Sequence, residues 1–429
     1  MRLEDHPIFT TPAPVPEELA RAAAGAGWPD GLLERALAAR ANSGDFDFWL
    51  GGARPPVDRV VRDIETMERL LHGPVRAREA TWRDGEALVD LYADAPEDVG
   101  ELEVTVERGP NPFAQFRLQE HANIQVLECQ GVLLAAAAHS SRNAVVGGEK
   151  LCVHLMSAWR VRRDFRGHRL SRLLQMAAPP AASAWFGVVT HWYERSGNAA
   201  QGWLDKIRGE ADSLHENKVE GLSATVHRIP AGGTGEADVG PGLRIRPVEP
   251  ADLPACVELI NATHEGLDLF RPYSTEYLEQ RLDDPFWGPR PAFWDHVYGW
   301  DDHRVVEQDG RIVACGGLWD RGRDVRERWR HNETAEEQVV STTGLLDWGH
   351  APGHEEAMAA LIRHFAGLTR QLGRDHLLAP LEFAPKVLAL VSGAGVIEDT
   401  RALRCMGFEG PGLRVAPRVS RPYTDVAYW

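Results

Sequence analysis

The chain has 429 residues, 43% of them hydrophobic and 26% charged, which excludes a disordered protein and favours two globular domains. Its 63 acidic residues outnumber the 47 Lys and Arg residues, and the net charge of −16 disfavours a nucleic-acid partner held through its phosphates. The five cysteines are widely spaced, the first 16 residues have no apolar core and no apolar run reaches 18 residues. We therefore expect a cytoplasmic protein with no disulfide framework, bound metal, signal peptide or membrane partner.

The N-terminal segment, residues 1–73, has three stretches with the residue pattern of helices, at 16–24, 30–41 and 56–72. It matches neither of the two repeated segments that follow it. We predict that residues 1–73 form a helical extension packed on the first domain. A flexible tail is the alternative for about the first dozen residues.

Residues 75–92 and 243–260 are similar to each other and match at six of 18 positions without a gap. The identical pairs are Arg76 with Arg244, Arg78 with Arg246, Asp84 with Asp252, Ala87 with Ala255, Val89 with Val257 and Leu91 with Leu259. Each segment has a short run of alternating polarity and then an acidic start to an amphipathic stretch. This pattern predicts a strand followed by a helix in both places.

A second pair of similar segments lies at residues 126–135 and 305–314. In each, an apolar run reaches a polar residue and a glycine, Gln130-Gly131 or Asp309-Gly310, and a second apolar run follows. This is a strong signal for a β-hairpin, because glycine supplies the positive φ that the tight turn needs. The order strand, helix, hairpin therefore occurs twice, about 170–180 residues apart.

The two copies are separated by residues 231–242, which contain five glycines in twelve positions. Such a composition cannot bury enough apolar surface to order itself, so we predict a linker. The expected domains are residues 74–230 and 243–429.

The first hairpin is followed by residues 149–161, which read as another strand, and then by an arginine-rich turn at 162–169 that leads into a helix. The first backbone N–H groups of a helix have no partner within the helix and lie at the positive end of its dipole. A turn of this kind binds phosphate or pyrophosphate, and arginines add charge-assisted hydrogen bonds. A solvated basic face is the alternative.

Strand, helix and hairpin, then a valine five residues before Arg-Gly at the start of a helix, resemble the GNAT N-acyltransferase superfamily over roughly residues 75–429. Val161 and Arg166-Gly167 match the family's pyrophosphate-binding turn, whereas Arg169 stands where its first glycine is expected and Ser171 where the second small residue falls. The resemblance implies that the cofactor is bound by Val161, Arg166, Gly167, His168, Arg169, Leu170, Ser171 and Asn198.

The segment 187–198 reads as a strand that runs into a turn and opens a helix at Asn198. The family often has a tyrosine seven residues after this Asn as general acid, and Asp205 occupies that position here. Tyr193 or Glu194 is the candidate catalytic base, because a carboxylate or phenol at the end of this strand can deprotonate an amine within hydrogen-bond reach. An exposed polar strand end is the alternative.

The second copy has a weaker cofactor motif. Its turn before the predicted helix 357–372 contains no arginine, and Glu355 and Glu356 would oppose a pyrophosphate. Residues 401–408 resemble the family's helix that ends in Gly-Phe. We therefore expect the second copy to have the same fold with a degenerate cofactor site. His350 and His354 lie four residues apart, but they lack the His-Glu-x-x-His order of a zinc site.

The resemblance implies an α+β fold with two tandem GNAT-like domains, each a mixed twisted sheet flanked by helices. It implies a CoA-dependent N-acyltransferase, most simply one that transfers an acetyl group from acetyl-CoA to a small-molecule amine. A backbone N–H near residues 157–161 would stabilise the oxyanion. The alternatives are a non-catalytic binding protein, acyl transfer from a carrier protein docked on the arginines, and different chemistry in the same cleft. A monomer or a homodimer is expected.

Overall fold

The computed structural model describes residues 74–99, 101–166, 170, 185–190, 223–232, 240–283, 297–393, 395–407, 421–423 and 425–428. The predicted N-terminal extension, residues 1–73, lies outside the described residues. The same is true of residues 233–239 in the predicted linker, which stays a prediction.

The described residues form strands and helices in the mixed arrangement of an α+β protein, so the predicted fold class is confirmed. The strands are β1 Val75–Glu79, β2 Glu97–Val99, β3 Leu102–Arg108, β4 Asn123–Cys129, β5 Val132–Val146, β6 Glu149–Val161, β7 Trp185–Thr190, β8 Ser223–Pro230, β9 Leu243–Pro247, β10 His303–Gln308, β11 Arg311–Trp319, β12 Val325–His331, β13 Glu337–His350, β14 His376–Ala379 and β15 Ile397–Gly407. The α-helices are α1 Gly85–Ala93, α2 Leu253–Thr263, α3 Thr275–Asp283, α4 Glu355–Gln371 and α5 Pro385–Val391. Among these helices, none has the length and hydrophobicity that a membrane crossing requires.

Twelve of the strands form one continuous path in the order β1-β4-β5-β6-β7-β15-β8-β14-β13-β11-β10-β9. The order is symmetric about the pair β15·β8. The parallel pairs β6·β7 and β13·β14 stand at equal distances from that centre, and the other neighbours are antiparallel. We call the chain before the predicted linker, with strands β1–β8, the first half, and the chain after it, with strands β9–β15, the second half. The two halves therefore share a single sheet.

The strands at the centre of the sheet are exchanged between the halves. Strand β8, the last described strand before the predicted linker, pairs with β14 and β15, which both come after it. Strand β15 in turn pairs with β7 and β8, which both come before it. Each half therefore supplies the strand that completes the sheet of the other half.

The halves also meet in a side ladder. Strand β3 pairs antiparallel with β12 over Leu102–Arg108, and β12 pairs with the first residues of β13. Because β13 continues into the main sheet, this ladder connects the hairpin β2·β3 of the first half to the second half.

The two segments that are similar in sequence have the same local structure. Arg78 on β1 contacts Asp84 and Glu128 at 2.7 Å each, and Arg246 on β9 contacts Asp252 at 2.6 Å and Glu307 at 2.7 Å. In both places the aspartate also accepts a backbone hydrogen bond at the entrance of the helix. A single guanidinium thus joins a strand, its neighbour and the following helix by charge-assisted hydrogen bonds.

Both predicted hairpins are confirmed. Strands β4 and β5 are joined by Gln130 (φ 50°) and Gly131 (φ 81°), and β10 and β11 by Asp309 (φ 50°) and Gly310 (φ 74°). Two successive positive φ angles are those of a type I′ turn, whose twist matches that of the strands.

The helix predicted at residues 401–408 is wrong, because β15 runs from Ile397 to Gly407. This segment lies between β7 and β8, and its backbone pairs with both. The backbone groups of two neighbouring strands are thereby satisfied. Tertiary context of this kind overrides local pattern.

Helix α2 packs very close to strand β13 at Gly349. A Cβ atom added to Gly349 would lie 2.5 Å from the backbone carbonyl group of Leu259. Backbone atoms cannot move away as a side chain can, so this glycine permits the close approach of helix and strand.

We expect Gly349→Ala to lower the free energy of unfolding by about 3 kcal/mol, because the methyl group forces α2 away from the sheet. The measurement is urea unfolding followed by fluorescence. Gly393→Ala is the control: a Cβ there meets open space, and the expected change is within about 0.5 kcal/mol. Equal stability of the two variants would contradict the close packing of α2 on β13.

Candidate functional site

Strands β6 and β13 each contain a bulge with a residue in the left-handed region. In β6 the residue is Ala158, with φ 50°, and in β13 it is Asp347, with φ 49°. In both bulges two residues oppose one residue on the neighbouring strand, β5 or β11. Bulges are common next to active sites because they redirect the backbone and side chains locally.

The first bulge lies where two parallel strands separate. Strands β6 and β7 pair from Cys152 with Trp185 to Met156 with Val189. Beyond Met156, β6 continues to Val161, and within the described residues no strand pairs with it on the side of β7. We call this opening the first fork. Its β6 edge presents backbone donors and acceptors from a bulged segment.

The predicted arginine-rich turn follows β6 directly. Arg166 is exposed, and its Nε and Nη2 atoms donate hydrogen bonds to the carbonyl oxygens of Val161 (3.3 Å) and Pro96 (2.6 Å). Leu170, four residues later, is helical and 1% exposed. The guanidinium of Arg166 therefore fastens the turn to the end of β6 and to the segment before β2.

Three neighbouring arginines pair with carboxylates of the same half. Arg160 contacts Glu97 at 2.5 Å, Arg162 contacts Asp94 at 3.6 Å and Arg163 contacts Glu103 at 2.9 Å. The positive charges of these three arginines are thus compensated within the protein.

Most residues that the resemblance assigned to the site lie outside the described part of the chain. These are the cofactor-binding candidates Gly167, His168, Arg169, Ser171 and Asn198, and the catalytic candidates Tyr193 and Glu194. Of the assigned residues, the structure describes Val161, Arg166 and Leu170, and a hydrogen bond joins Arg166 to Val161 at the end of β6. The roles of all ten residues stay predictions.

The corresponding second fork lies between β13 and β14, which pair from Thr342 with His376 to Gly344 with Leu378. Its turn leads into α4, and the first turn of this helix carries Glu355 and Glu356. Glu355 contacts Lys386 on α5 at 3.3 Å. Carboxylates at this position stabilise the helix and repel a phosphate.

His350 and His354 flank the same turn. His350 Nδ1 lies 3.0 Å from the carbonyl oxygen of Ala351, and His354 Nδ1 lies 3.0 Å from Gln308 Oε1. Within the described part of the chain, neither histidine belongs to a cluster of three potential metal ligands.

The second bulge is occupied by a buried polar network, which the sequence analysis did not predict. The Asp347 carboxylate accepts hydrogen bonds from Arg281 Nε (2.8 and 2.9 Å) and from the Tyr273 hydroxyl (2.7 Å). Arg281 also donates to the carbonyl oxygen of Leu118 in the first half. The signal in the sequence is a charged residue within an apolar run: Asp347 follows two leucines and precedes a tryptophan.

The network fixes the charge of Asp347. Burial acts to raise the pKa of this carboxyl group, but the guanidinium of Arg281 and the hydroxyl of Tyr273 outweigh burial and hold the pKa below its usual value. Burial and the charge of Asp347 raise the pKa of Tyr273 well above 10. At neutral pH the bulge therefore holds a buried, paired carboxylate, and a neutral phenol donates to it.

His264 lies beside this network. Its ring stacks on Phe270 and meets Trp348 and Tyr423 edge-on, with centroid distances of 4.8 to 5.1 Å. Its Nδ1 lies 2.8 Å from the carbonyl oxygen of Ile260. Burial lowers the pKa of His264 to about 4.

Between pH 6.5 and 4, we expect acid to destabilise the protein by about 3 kcal/mol through His264 alone. The unfolded chain takes up this proton near pH 6.5 and the folded protein only near pH 4, so stability is lost as the pH falls. The measurement is urea unfolding across this range, in which His264→Phe should remove this part of the pH dependence. Phe365→Leu, in a core cluster without His264, is the control and should lower stability equally at each pH. A pH dependence that is the same in His264→Phe and the wild type would contradict the assignment.

The chain is similar to known proteins in structure but not in sequence. No family model and no curated protein matches the sequence. Two structures of N-myristoyltransferase from Saccharomyces cerevisiae with bound myristoyl-CoA, one of them also with inhibitors, are similar to the chain with a TM-score of 0.50. Their sequence identities are 12% and 14%, and each alignment covers 78% of this chain and 79% or 80% of the other. A GCN5-related N-acetyltransferase from Sphaerobacter thermophilus has a TM-score of 0.43 at 13% identity, with 79% of this chain and 97% of the other covered. The chain therefore has the same overall fold as these N-myristoyltransferase structures.

Proposed function

We propose that the protein is a CoA-dependent N-acyltransferase and that the first fork binds the acyl-CoA. The acceptor is the amine of a small molecule, and the simplest donor is acetyl-CoA. The amine nitrogen attacks the thioester carbonyl carbon, the C–S bond breaks, and the thiolate leaves as CoA while a base takes the proton of the amine.

The observation that carries the proposal is the bulged end of β6, which pairs with β5 on one side and with no described strand on the side of β7. An extended pantetheine arm has amide groups that pair with such an edge as an added strand does. A thioester carbonyl next to Ala158 would then face backbone N–H groups that the bulge turns out of the ladder. Donors held in this way stabilise an oxyanion because they need no reorganisation during the reaction. Alignment of the amine with the thioester contributes up to about 7–11 kcal/mol.

The phosphate end of the cofactor is assigned to the turn after β6. The hydrogen bonds of Arg166 to Val161 and Pro96 hold this turn at the end of β6, and Leu170, four residues later, is helical. In this proposal Gly167, His168, Arg169 and Ser171 supply the backbone and side-chain contacts to the diphosphate.

The second fork is the weaker candidate for the same role. Its helix begins with Glu355 and Glu356, and its bulge is filled by Asp347, which is bound by Arg281 and Tyr273. The corresponding residue of the first fork is Ala158, which leaves its bulge free of charge. This difference supports one cofactor site per chain, in the first half.

Acyl transfer from a carrier protein is the second candidate. An acidic carrier helix would have to compete with the carboxylates that already contact Arg160, Arg162 and Arg163. Free acyl-CoA needs only the helix start and the β6 edge, so we prefer it. The length of the acyl chain is open between acetyl and longer chains, since the similar N-myristoyltransferase structures contain myristoyl-CoA. A panel of acyl-CoA donors and amines, with thiol release as readout, selects among them.

The first prediction concerns binding. Arg166→Glu should weaken acetyl-CoA binding at least about tenfold, or 1.4 kcal/mol, because a carboxylate cannot donate to Val161 and Pro96 and repels the diphosphate. Isothermal titration calorimetry measures the effect, and thermal melting verifies that the variant is folded.

Arg330→Glu is the matched control, since it makes the same change of charge at an exposed position of β12. It should bind acetyl-CoA as the wild type does. Equal weakening in both variants would show a general effect of net charge. If the wild type binds neither acetyl-CoA nor a longer acyl-CoA at about 1 mM, the proposal is wrong.

The second prediction concerns proton transfer. If Glu194 is the base, Glu194→Gln should lower kcat at least about 100-fold and remove the acidic limb of the pH–rate profile, because that limb reports protonation of the base. If Tyr193 is the base, Tyr193→Phe should have the same two effects. Glu333→Gln, at an exposed turn of the second half, is the control and should leave the profile unchanged. Unchanged rates and profiles in both variants would rule out Tyr193 and Glu194.

A further inference from the structure

Three buried side chains of the second half bring two thiols and an imidazole together. Cys256 lies on α2, His303 at the start of β10 and Cys315 on β11, and none of them is exposed to solvent. Their sulfur and nitrogen atoms all lie within 4.8 Å of one another. The separations of 47 and 12 residues along the chain explain why the spacing of the cysteines gives no sign of this cluster.

The first half shows what the fold requires at these positions. The registers of the two hairpins identify the equivalent residues. Ile124 pairs with Ala138 as His303 pairs with Gly317, so Ile124 is the counterpart of His303. By the same register, Ala136 is the counterpart of Cys315. The ungapped match of the two helices makes Leu88 the counterpart of Cys256. Leu88, Ile124 and Ala136 are buried members of one apolar core cluster. The fold therefore needs only apolar side chains here, and the second half has replaced all three with potential metal ligands.

The imidazole of His303 is oriented by the polar network of the second bulge. Its Nδ1 lies 3.1 Å from the Tyr298 hydroxyl, and burial and the nearby charge of Asp347 raise the pKa of that hydroxyl well above its usual value. The Tyr298 hydroxyl therefore stays protonated, the Asp347 carboxylate attracts its proton, and the Tyr298 oxygen is left to accept the Nδ1–H of His303.

The other ring nitrogen of His303, Nε2, consequently carries a lone pair. This atom is buried and has no hydrogen-bond partner in the structure. A ring nitrogen of His303 lies within 4.8 Å of both sulfur atoms, and Nε2 is the one that has no other partner. A buried polar atom without a partner costs free energy, and a metal ion would satisfy it.

The two thiols lie close enough to share one cation. The Cys315 Sγ atom lies 3.8 Å from the carbonyl oxygen of Cys256, and both sulfur atoms lie within 4.8 Å of each other and of a ring nitrogen of His303. A cation bound there would displace the protons of both thiols.

We propose that Cys256, His303 and Cys315 bind a thiophilic divalent cation, Zn²⁺, through two thiolate sulfur atoms and His303 Nε2. Two cysteines and a histidine are a ligand set that Zn²⁺ takes in proteins, and soft thiolates select such ions over Mg²⁺ or Ca²⁺. Tyr298 and Asp347 form the outer shell that fixes the histidine tautomer, as carboxylates do behind many ligating histidines. The ion would join α2 to β10 and β11. This site goes beyond the proposed acyl transfer and does not depend on it.

The test uses the full chain prepared with Zn²⁺, and separately with Co²⁺, whose thiolate complexes absorb by charge transfer. We expect about one Zn²⁺ per chain and the Co²⁺–thiolate band. Cys256→Leu, His303→Ile and Cys315→Ala introduce the residues of the first half and should each lower bound metal at least about tenfold. These variants are apolar, so a loss of metal with a retained melting transition is expected.

Two further variants complete the design. Tyr298→Phe keeps all three ligands and should weaken metal binding about 10- to 100-fold by loss of the outer shell. Cys152→Ala, at a half-buried cysteine outside the cluster, should bind metal as the wild type does. The proposal is overturned if the chain takes up neither metal, if Cys152→Ala loses as much metal as the cluster variants, or if mass spectrometry finds Cys256 and Cys315 joined in a disulfide in the zinc-loaded protein.

Discussion

The reciprocal exchange of strands β8 and β15 is the constraint on which the rest of the structure depends. Each of these strands has both neighbours in the opposite half. The short strands β7 and β14 are thereby covered on one side by an antiparallel partner, while the longer β6 and β13 run past them on the other. An opening between parallel strands then lies inside the sheet, where hydrogen bonds on either side hold its shape. Both forks arise in this way, in equivalent places.

The two forks have the same frame and different contents. In the first, Ala158 leaves the bulged backbone without a charge, and Arg166 ties the following turn to backbone carbonyls. In the second, the ion pair of Asp347 with Arg281 fills the bulge and reaches Leu118 in the other half. Breaking a buried pair leaves an uncompensated charge and costs several kcal/mol. The second half therefore gains a fixed interior at the place where the first half has an opening.

The sequence predicts those parts of the molecule whose contacts are local. Arg78 and Asp84 are six residues apart, and their match to a second segment identifies the same strand–helix unit in both halves. The hairpins follow from glycine at their turns. The exchange of strands joins segments far apart in the chain, and hydrophobic pattern does not encode such pairing. The family resemblance, which implies a helix at residues 401–408, therefore misses strand β15. For the same reason, the contact of Arg281 with Asp347 across 66 residues could not be predicted. Of the site, the sequence located the turn beside β6 but not the carboxylates that compensate its arginines.

The arginine that joins strand, neighbouring strand and helix in both halves provides a fingerprint for distant relatives. At 12–14% identity, alignment alone hardly distinguishes related from unrelated chains. The fingerprint has an arginine, an aspartate six residues later, and a glutamate three residues before the glycine of a hairpin, as in Arg246, Asp252, Glu307 and Gly310. These residues form charge-assisted hydrogen bonds with one another, so replacing one of them leaves the others without a partner. Their identities are therefore more constrained than those of solvent-exposed residues. Two occurrences in one chain would identify the duplicated architecture from sequence, including in proteins whose pockets have diverged beyond recognition.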